Sequence, residues 1–342
     1  MKPIPFLSIC IPSYNRPIEL RRLLASIPLS ASAEIEIIIA EDKSPKREEV
    51  RNVAAEFHRQ GVFEVRYIEN SSNLGYDGNL RSLAKLARGT YIMYMGDDDT
   101  IETANLEVFL RFIKDNSDCA YVMKCHSFVH DSGVVEPFRY YTGSRRFPPG
   151  FSAFKELFRK SVFVSGFCFK RVEAEPFHTD CFDGTLLYQL YLLSELVLQY
   201  PSAYCDTPLT IQSARLRGIP MFGSSEREEK LYTPGKITVD NSVNFMKGYF
   251  KMAAYIDAKY SLGAVDFLRR DFSKYSYPVI AIQRWRGVRE FRKYCLRLEK
   301  NIGINETIYY YIYYWALICF GKKICDMLIV VIKRILGSTP RL

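Results

Sequence analysis

The stretch that most constrains the fold is Tyr91-Ile92-Met93-Tyr94-Met95, an apolar run that passes through Gly96 into three consecutive carboxylates, Asp97, Asp98 and Asp99. Such a run reads as a buried strand. Three adjacent negative charges repel one another, so a chain that places them at a strand end has to supply a counter-charge. A hard divalent cation such as Mg²⁺ or Mn²⁺ is the expected one, because it prefers oxygen ligands and carries phosphates with it. The bland alternative is a solvated acidic turn. The pattern upstream favours the first reading.

Three more apolar runs precede this one, each followed by a helical pattern. Leu7–Ile11 reads as a strand, then comes the loop Pro12-Ser13-Tyr14-Asn15-Arg16-Pro17, and Pro17 opens a helix with Leu20, Leu23, Leu24 and Ile27 on one face. Ile35–Ala40 is a second strand, ending in Glu41-Asp42-Lys43-Ser44, with a polar helix over about 47–60. Val62–Ile68 is a third, ending in a polar turn through Asn73-Leu74-Gly75, with a helix over about 77–87. Four strands alternating with helices predict a parallel, doubly wound sheet. In such sheets ligands bind beyond the carboxyl ends of the strands. All four strands end in polar clusters, which places a candidate site on that rim. Neither a GxGxxG nor a GxxxxGK[ST] pattern occurs at these turns, which argues against dinucleotide and P-loop chemistry.

Farther along, Cys119–Val129, Val162–Lys170 and Ala203–Ile211 read as strands, and Tyr140–Gly150, basic, aromatic and rich in Pro and Gly, as a mobile loop. Asp180 and Asp183 stand just before a strongly apolar helix, Leu186–Leu198; they are helix caps or a catalytic base. His126 and His130 fall on one strand face with no third ligand nearby, which makes a metal site there the weaker reading. Nine cysteines without CxxC spacing suggest reduced thiols rather than a disulfide framework. The first six residues show no secretory pattern.

Taken together, the motifs resemble those of the family 2 glycosyltransferases. The residues that carry the resemblance are Ile9–Asn15, Glu41–Ser44, Asn73-Leu74-Gly75 with Asn79, and Ala87-Arg88-Gly89 leading to Gly96–Asp99. The last two blocks look like the branch that builds bacterial O-antigen and capsule repeats. The resemblance implies an α/β GT-A fold, a Rossmann-like, mostly parallel sheet flanked by helices that binds a nucleotide-sugar, with a helical C-terminal region. By matching position, Pro12, Ser13, Tyr14, Asn15, Asp42, Asn73, Asn79, Asp97 and Asp98 would bind the nucleotide-sugar, Asp42 by accepting a hydrogen bond from the base. The metal would sit on Asp99 with Asp97, or on Asp98 with Asp99 in the other register. In inverting members one carboxylate before a helix on the acceptor side takes the proton of the acceptor hydroxyl; Asp183 fits that place first and Asp180 second. Gly78 stands where many members carry Arg, which leaves the nucleotide open.

The function this implies is metal-dependent, inverting transfer of a sugar from a nucleotide-sugar to a lipid-linked saccharide acceptor in bacterial surface polysaccharide synthesis. A sugar-nucleotidyltransferase shares the architecture but needs a Gly-rich, basic loop after the first strand. A non-catalytic membrane-surface protein with a degenerate transferase fold sits poorly with an intact Asp98-Asp99 pair. The domains expected are a catalytic region over 1–215, with halves 1–120 and 121–215, a basic helical extension over 216–300, and amphipathic helices over 301–342. The net charge of +9 concentrates at the C-terminal end: residues 284–342 hold twelve Lys or Arg against four Asp or Glu. Mixed with aromatics, that balance points to an anionic membrane surface rather than nucleic acid. Ile308–Phe320 has thirteen residues, and Gly321-Lys322-Lys323 interrupts the apolar run, so neither half is long enough to span a bilayer. The expectation is a cytoplasmic protein, peripheral on the inner face of the membrane, with Trp285 and Trp315 as interfacial anchors.

Overall fold

Alternating apolar and amphipathic runs become alternating strands and helices. The computed structural model describes residues 4–129, 133–213 and 221–336. Strands β1 (Leu7–Ser13), β2 (Ile35–Glu41), β3 (Glu64–Glu69) and β4 (Tyr91–Tyr94) are linked by helices α1 (Pro17–Ser26), α2 (Arg47–Arg59) and α3 (Gly75–Leu86). The four strands pair parallel in the order β3-β2-β1-β4. Every residue of β2 is buried, as befits a strand covered on both faces. One face presents Leu7, Ile9, Ile37 and Ile39 to Leu20, Leu23 and Leu24 of α1 and Val50 and Val53 of α2. On the other face α3 packs along β1 and β2.

The second half of the sheet is mixed. β5 (Thr100–Ile101) precedes α4 (Leu106–Asp115), then β6 (Tyr121–Val129), β7 (Val135–Phe138), β8 (Arg145–Phe147), α5 (Phe151–Leu157), β9 (Phe167–Lys170), α6 (Arg171–Ala174), α7 (Tyr188–Gln199) and β10 (Ser202–Ser213). The order continues β4-β9-β6-β10-β5, with β7 on β6 and β8 on β10. β9 runs antiparallel to both its neighbours. It is shorter than the sequence pattern suggests, because the chain turns at Gly166 with φ 82° immediately before it. The 140–150 segment, expected as a mobile loop, contributes β8 instead, since its backbone pairs with Ser202, Ala203 and Tyr204 of β10. The helix expected from Leu186 begins at Tyr188, because Leu186 takes a left-handed conformation with φ 61°.

At the amino ends of the parallel strands lies a buried charge network. Glu36 on β2 is fully buried and accepts from Ser8 Oγ (2.6 Å), Arg88 N (2.7 Å) and the Arg88 guanidinium. Burial pushes its carboxyl up, but the Ser8 and Arg88 hydrogen bonds outweigh burial and hold it below its ordinary range. Gly89 N donates to Ser8 Oγ at 2.8 Å, and a Cβ there would stand 2.7 Å from Ser8 N. The Ala-Arg-Gly sequence before β4 thus has a structural cause: the arginine neutralises a core carboxylate, and only glycine fits against β1.

Two compact units follow each other in the chain, residues 1–230 and 231–342. The second is helical: α8 (Val239–Tyr260), α9 (Ala264–Lys274), α10 (Tyr277–Ala281), α11 (Val288–Ile302) and α12 (Ile308–Leu336). α8 packs on α9 and α11, and α12 packs on α9 and α10. α12 breaks at Gly321, whose backbone is non-helical with φ 73°. No helix among the described residues is long and apolar enough to cross a membrane. His130, Asp131 and Ser132, and residues 214–220, lie outside the described residues.

Candidate functional site

At the carboxyl ends of β1, β2 and β4 the chain opens into a cleft. Pro12, Ser13 and Tyr14 line it from β1, Asp42 from β2, Asn73 and Asn79 from the start of α3, and Asp97 and Asp98 from the turn after β4. Of the residues predicted for the nucleotide-sugar and the metal, two are not among its lining; nor are the candidate bases Asp180 and Asp183. Asn15, with a left-handed φ of 64°, turns the chain from Tyr14 to Arg16. Asp99 faces the protein interior, where Oδ2 accepts from Ser165 Oγ at 2.6 Å. Burial pushes the nearby Lys124 ammonium down to about 7, against the pull of the Asp99 carboxylate.

The counter-charge for the acidic turn comes from Arg16. Its Nη1 lies 3.0 Å from Asp97 Oδ1 and 3.0 Å from Asp98 Oδ2. Tyr14 N donates to Asp97 Oδ2 at 3.3 Å, and Arg22 Nη2 to the Asp98 carbonyl at 2.8 Å. Burial, with help from the neighbouring Asp98, still pushes the Asp97 carboxyl up to about 7 despite Arg16. Arg16 had a sequence signal that could have found it: a basic residue in the strand-end loop that faces three carboxylates in a doubly wound sheet.

Asp42 is built into the first turn of α3. Its Oδ1 accepts from Asn70 Nδ2 and from Leu74 N, both at 2.8 Å, and its Oδ2 from Gly75 N at 2.9 Å. Free N–H groups at a helix start favour a carboxylate there. Burial dominates nonetheless, and with Glu228 nearby it lifts the Asp42 carboxyl to about 6. Asn79 is a strut: its Nδ2 donates to Ala40 O (3.0 Å) and its Oδ1 accepts from Asn70 Nδ2 (3.1 Å). Asn73 Oδ1 accepts from Gly75 N at 3.0 Å.

Met221, Ser224 and Glu228 form a further wall of the cleft that no sequence motif announced. Glu228 is buried; its Oε1 accepts from Tyr76 N (2.7 Å) and its Oε2 from Gly223 N (2.8 Å). At Gly75, with φ 73°, a Cβ would stand 2.4 Å from Ser225 Oγ and 2.6 Å from Glu228 Oε1. The glycine of Asn-Leu-Gly is therefore required both by its backbone angle and by the segment lying against it. A contact 152 residues apart in sequence leaves no local trace.

The two candidate bases differ in setting. Asp183 is 4% exposed and receives a two-pronged hydrogen bond from Arg81 Nη1 and Nη2, with Arg227 Nη1 at 3.6 Å. It stands against α3, 3.8 Å from where a Gly78 Cβ would be. Asp180 is 60% exposed and pairs with Arg227 at 3.3 Å. Neither caps α7. That task falls to Asp77, which accepts from Leu186 N (2.9 Å) and Tyr188 N (2.8 Å) and so ties the start of α7 to α3.

The family model described as Glycosyl transferase family 2 matches residues 8–173. An uncharacterized glycosyltransferase of Haemophilus influenzae is 30% identical over 138 residues, covering 38% of this chain and 45% of that protein. The abequosyltransferase RfbV of Salmonella typhimurium is 29% identical over 112 residues, 33% of this chain and 34% of that protein. A GalNAc(5)-diNAcBac-PP-undecaprenol beta-1,3-glucosyltransferase of Campylobacter jejuni is 24% identical over 119 residues, 35% of this chain and 37% of that protein. The chain thus spans from about a third to just under half the length of these relatives. Among solved structures, S. aureus TarS 1–349 in complex with UDP-GlcNAc aligns with a TM-score of 0.58 at 14% identity, covering 97% of this chain and 92% of that one. The mannosyltransferase PcManGT from Pyrobaculum calidifontis, in complex with GDP-Man and Mn²⁺, aligns at 0.50 with 10% identity, covering 94% and 87%. These likenesses show the fold, which is GT-A.

Because both Glu228 oxygens accept backbone N–H groups, Glu228→Gln must turn an amide NH₂ toward one of them. We expect a loss of about 1–3 kcal/mol in unfolding free energy, with faster hydrogen exchange at the Tyr76 and Gly223 amides. Unchanged exchange at both would show that Glu228 does not hold this wall.

Proposed function

We propose that the chain, whose residues 8–173 match the model of glycosyl transferase family 2, transfers a sugar from a nucleoside diphosphate sugar to a lipid-linked saccharide, as a step in making a bacterial surface polysaccharide. The observation that carries this reading is the meeting of Asp42 with Asp97 and Asp98 in one cleft at the carboxyl ends of parallel strands. The names of the relatives add to it: one acts on a PP-undecaprenol-linked saccharide, one is an abequosyltransferase, and the structural neighbours hold UDP-GlcNAc and GDP-Man.

In this reading Asp42 receives the base. Among the described residues its Oδ2 accepts one hydrogen bond, from Gly75 N, which leaves a lone pair for a base N–H. The diphosphate lies toward Asp97 and Asp98. A divalent cation fits there, because the two carboxylates already converge on one cationic point and Asp97 stays pushed up to about 7 with Arg16 in place. Two carboxylates with substrate phosphates make a common Mg²⁺ set. When bound, the ion would neutralise charge on the leaving diphosphate. Asp97 and Asp98 would hold the ion, and Arg16, which pairs with both, would compete with it for them. Asp99 holds Ser165, whose Oγ also accepts from Gly96 N at 3.1 Å, and so shapes the turn that aims the other two. Asp183, oriented by Arg81, takes the proton from the acceptor hydroxyl as its oxygen bonds to the sugar carbon and the nucleoside diphosphate leaves from the opposite side, a single inverting displacement.

Thermal unfolding of the full chain with UDP, GDP, CDP or dTDP, each with Mn²⁺, tests the reading: at least one should raise the midpoint. No shift with any of them would sink it. The affinity for that nucleotide in the presence of Mn²⁺ should weaken as the pH falls through about 7, where Asp97 takes up a proton, and weaken further through about 6, where Asp42 does so and stops accepting. Asp42→Asn should remove the lower step and leave the upper one.

Asp183→Asn keeps the shape of the side chain and cannot take a proton. Turnover should drop by about 10² or more with nucleotide affinity retained. The same loss in Asp180→Asn, with Asp183→Asn active, would move the base to the exposed carboxylate.

Arg16→Gln removes the cation that competes for the carboxylates. Binding of Mn²⁺ to the chain without nucleotide, read from the electron paramagnetic resonance of free Mn²⁺, should tighten by about tenfold, the equivalent of one unit of RT ln 10. Weaker or equal binding would show that Arg16 and the ion do not share a place.

A further inference from the structure

The helix α12 reverses the pattern of an ordinary surface helix. Its first half, Ile308–Phe320, contains no charged residue. Tyr310 and Leu317 are buried on one side, while Ile308, Ile312 and Trp315 are exposed on the other at spacings of four and three. A helix with solvent on one side normally turns polar residues to it. Here the solvent side is apolar and aromatic over about 20 Å. Beyond the break the stripe continues through exposed Ile324, Met327 and Val331, although Lys322 and Asp326 pair with each other at 2.5 Å.

The break is built. Arg284 Nε donates to Leu317 O at 2.7 Å, which satisfies a carbonyl near the end of the first half, and Gly321 leaves the space that Arg284 approaches. Beside the stripe runs a cationic groove. Arg289, Arg292 and Lys293 line it together with Val288, Leu296 and Tyr314. Arg292 Nε reaches Tyr314 OH at 3.4 Å, so groove and stripe belong to one surface. Trp285 is 68% exposed with Arg286 stacked over its ring at 4.5 Å, and Trp315 is 53% exposed.

We propose that this surface of residues 284–331 docks on an anionic phospholipid bilayer, with the α12 stripe in the acyl boundary and the α11 cations on lipid phosphates. Charge complementarity selects this occupant. A second copy of the chain would bring the same cationic groove to the apolar stripe's border and be repelled. A neutral apolar partner would leave the groove without a counter-charge. Aromatic residues with arginines and lysines at one level are what a bilayer interface takes up. The site lies outside the nucleotide cleft and its test needs neither nucleotide nor acceptor, so its failure leaves the transferase reading intact.

The chain has two tryptophans, and both lie on this surface. Their fluorescence in the full wild-type chain therefore reports docking directly. Vesicles with about one-third phosphatidylglycerol should shift the emission to the blue and carry the chain to the top of a flotation gradient, and brominated acyl chains should quench it. Phosphatidylcholine vesicles should do so at least about tenfold more weakly, and high salt should reverse binding to the anionic vesicles. Arg289→Gln, Arg292→Gln and Lys293→Gln together, on an exposed face, should weaken partitioning by about tenfold or more. An unshifted emission with no flotation on anionic vesicles would overturn the proposal. So would a blue shift that arises without vesicles and tracks dimer formation in sedimentation, which would make a second copy the occupant.

Discussion

Buried carboxylates are the constraint that the N-terminal unit is built around. An ionised carboxylate is costly to remove from water unless it is paired or hydrogen-bonded, and this unit buries several. Most are placed where the backbone has N–H groups to spare or where an arginine reaches them. Glu36 joins Ser8 and Arg88 at one rim of the sheet. Asp42, Asp77 and Glu228 each take two or more hydrogen bonds, all of them around α3. The satisfied carboxylates act as fasteners and fix the elements that frame the cleft.

Helix α3 is the part through which these fasteners communicate. Its start receives Asp42 from β2 and Glu228 from the distant wall. Its first turns send Asp77 to the beginning of α7 and Arg81 to Asp183. The nucleotide side and the acceptor side of the proposed reaction are therefore set by neighbouring residues of one helix. The acidic turn after β4 differs in kind. Its carboxylates are held by the Arg16 and Ser165 side chains and by a single backbone N–H, that of Tyr14.

The helical unit solves an opposite problem. Its interior is conventional, with Tyr294 and Leu298 of α11 and Met252 and Ile256 of α8 buried. Its outer surface keeps apolar side chains in water, which no internal packing compensates. A folded chain tolerates scattered exposed apolar residues, but a continuous stripe beside a cationic groove is a surface shaped for something outside the molecule.

The sequence by itself determined the alternation of strands and helices, the rim on which polar residues gather, and half of the cleft lining: Pro12, Ser13, Tyr14, Asp42, Asn73, Asn79, Asp97 and Asp98 were legible because strand ends and turns are local and carry local signatures. The apolar stripe of α12 was legible for the same reason, since helical spacing is local. Tertiary structure decided what each charge meets. That Arg16, a few residues after β1, neutralises carboxylates about eighty residues later depends on β1 and β4 lying side by side. That Asp183 is held by Arg81, that Asp77 rather than Asp180 or Asp183 starts α7, and that Glu228 walls the cleft depend on contacts across about a hundred residues or more. A charge is visible in a sequence, but its partner is chosen by packing, because Coulomb energy and desolvation depend on distance and burial in space and not on separation along the chain.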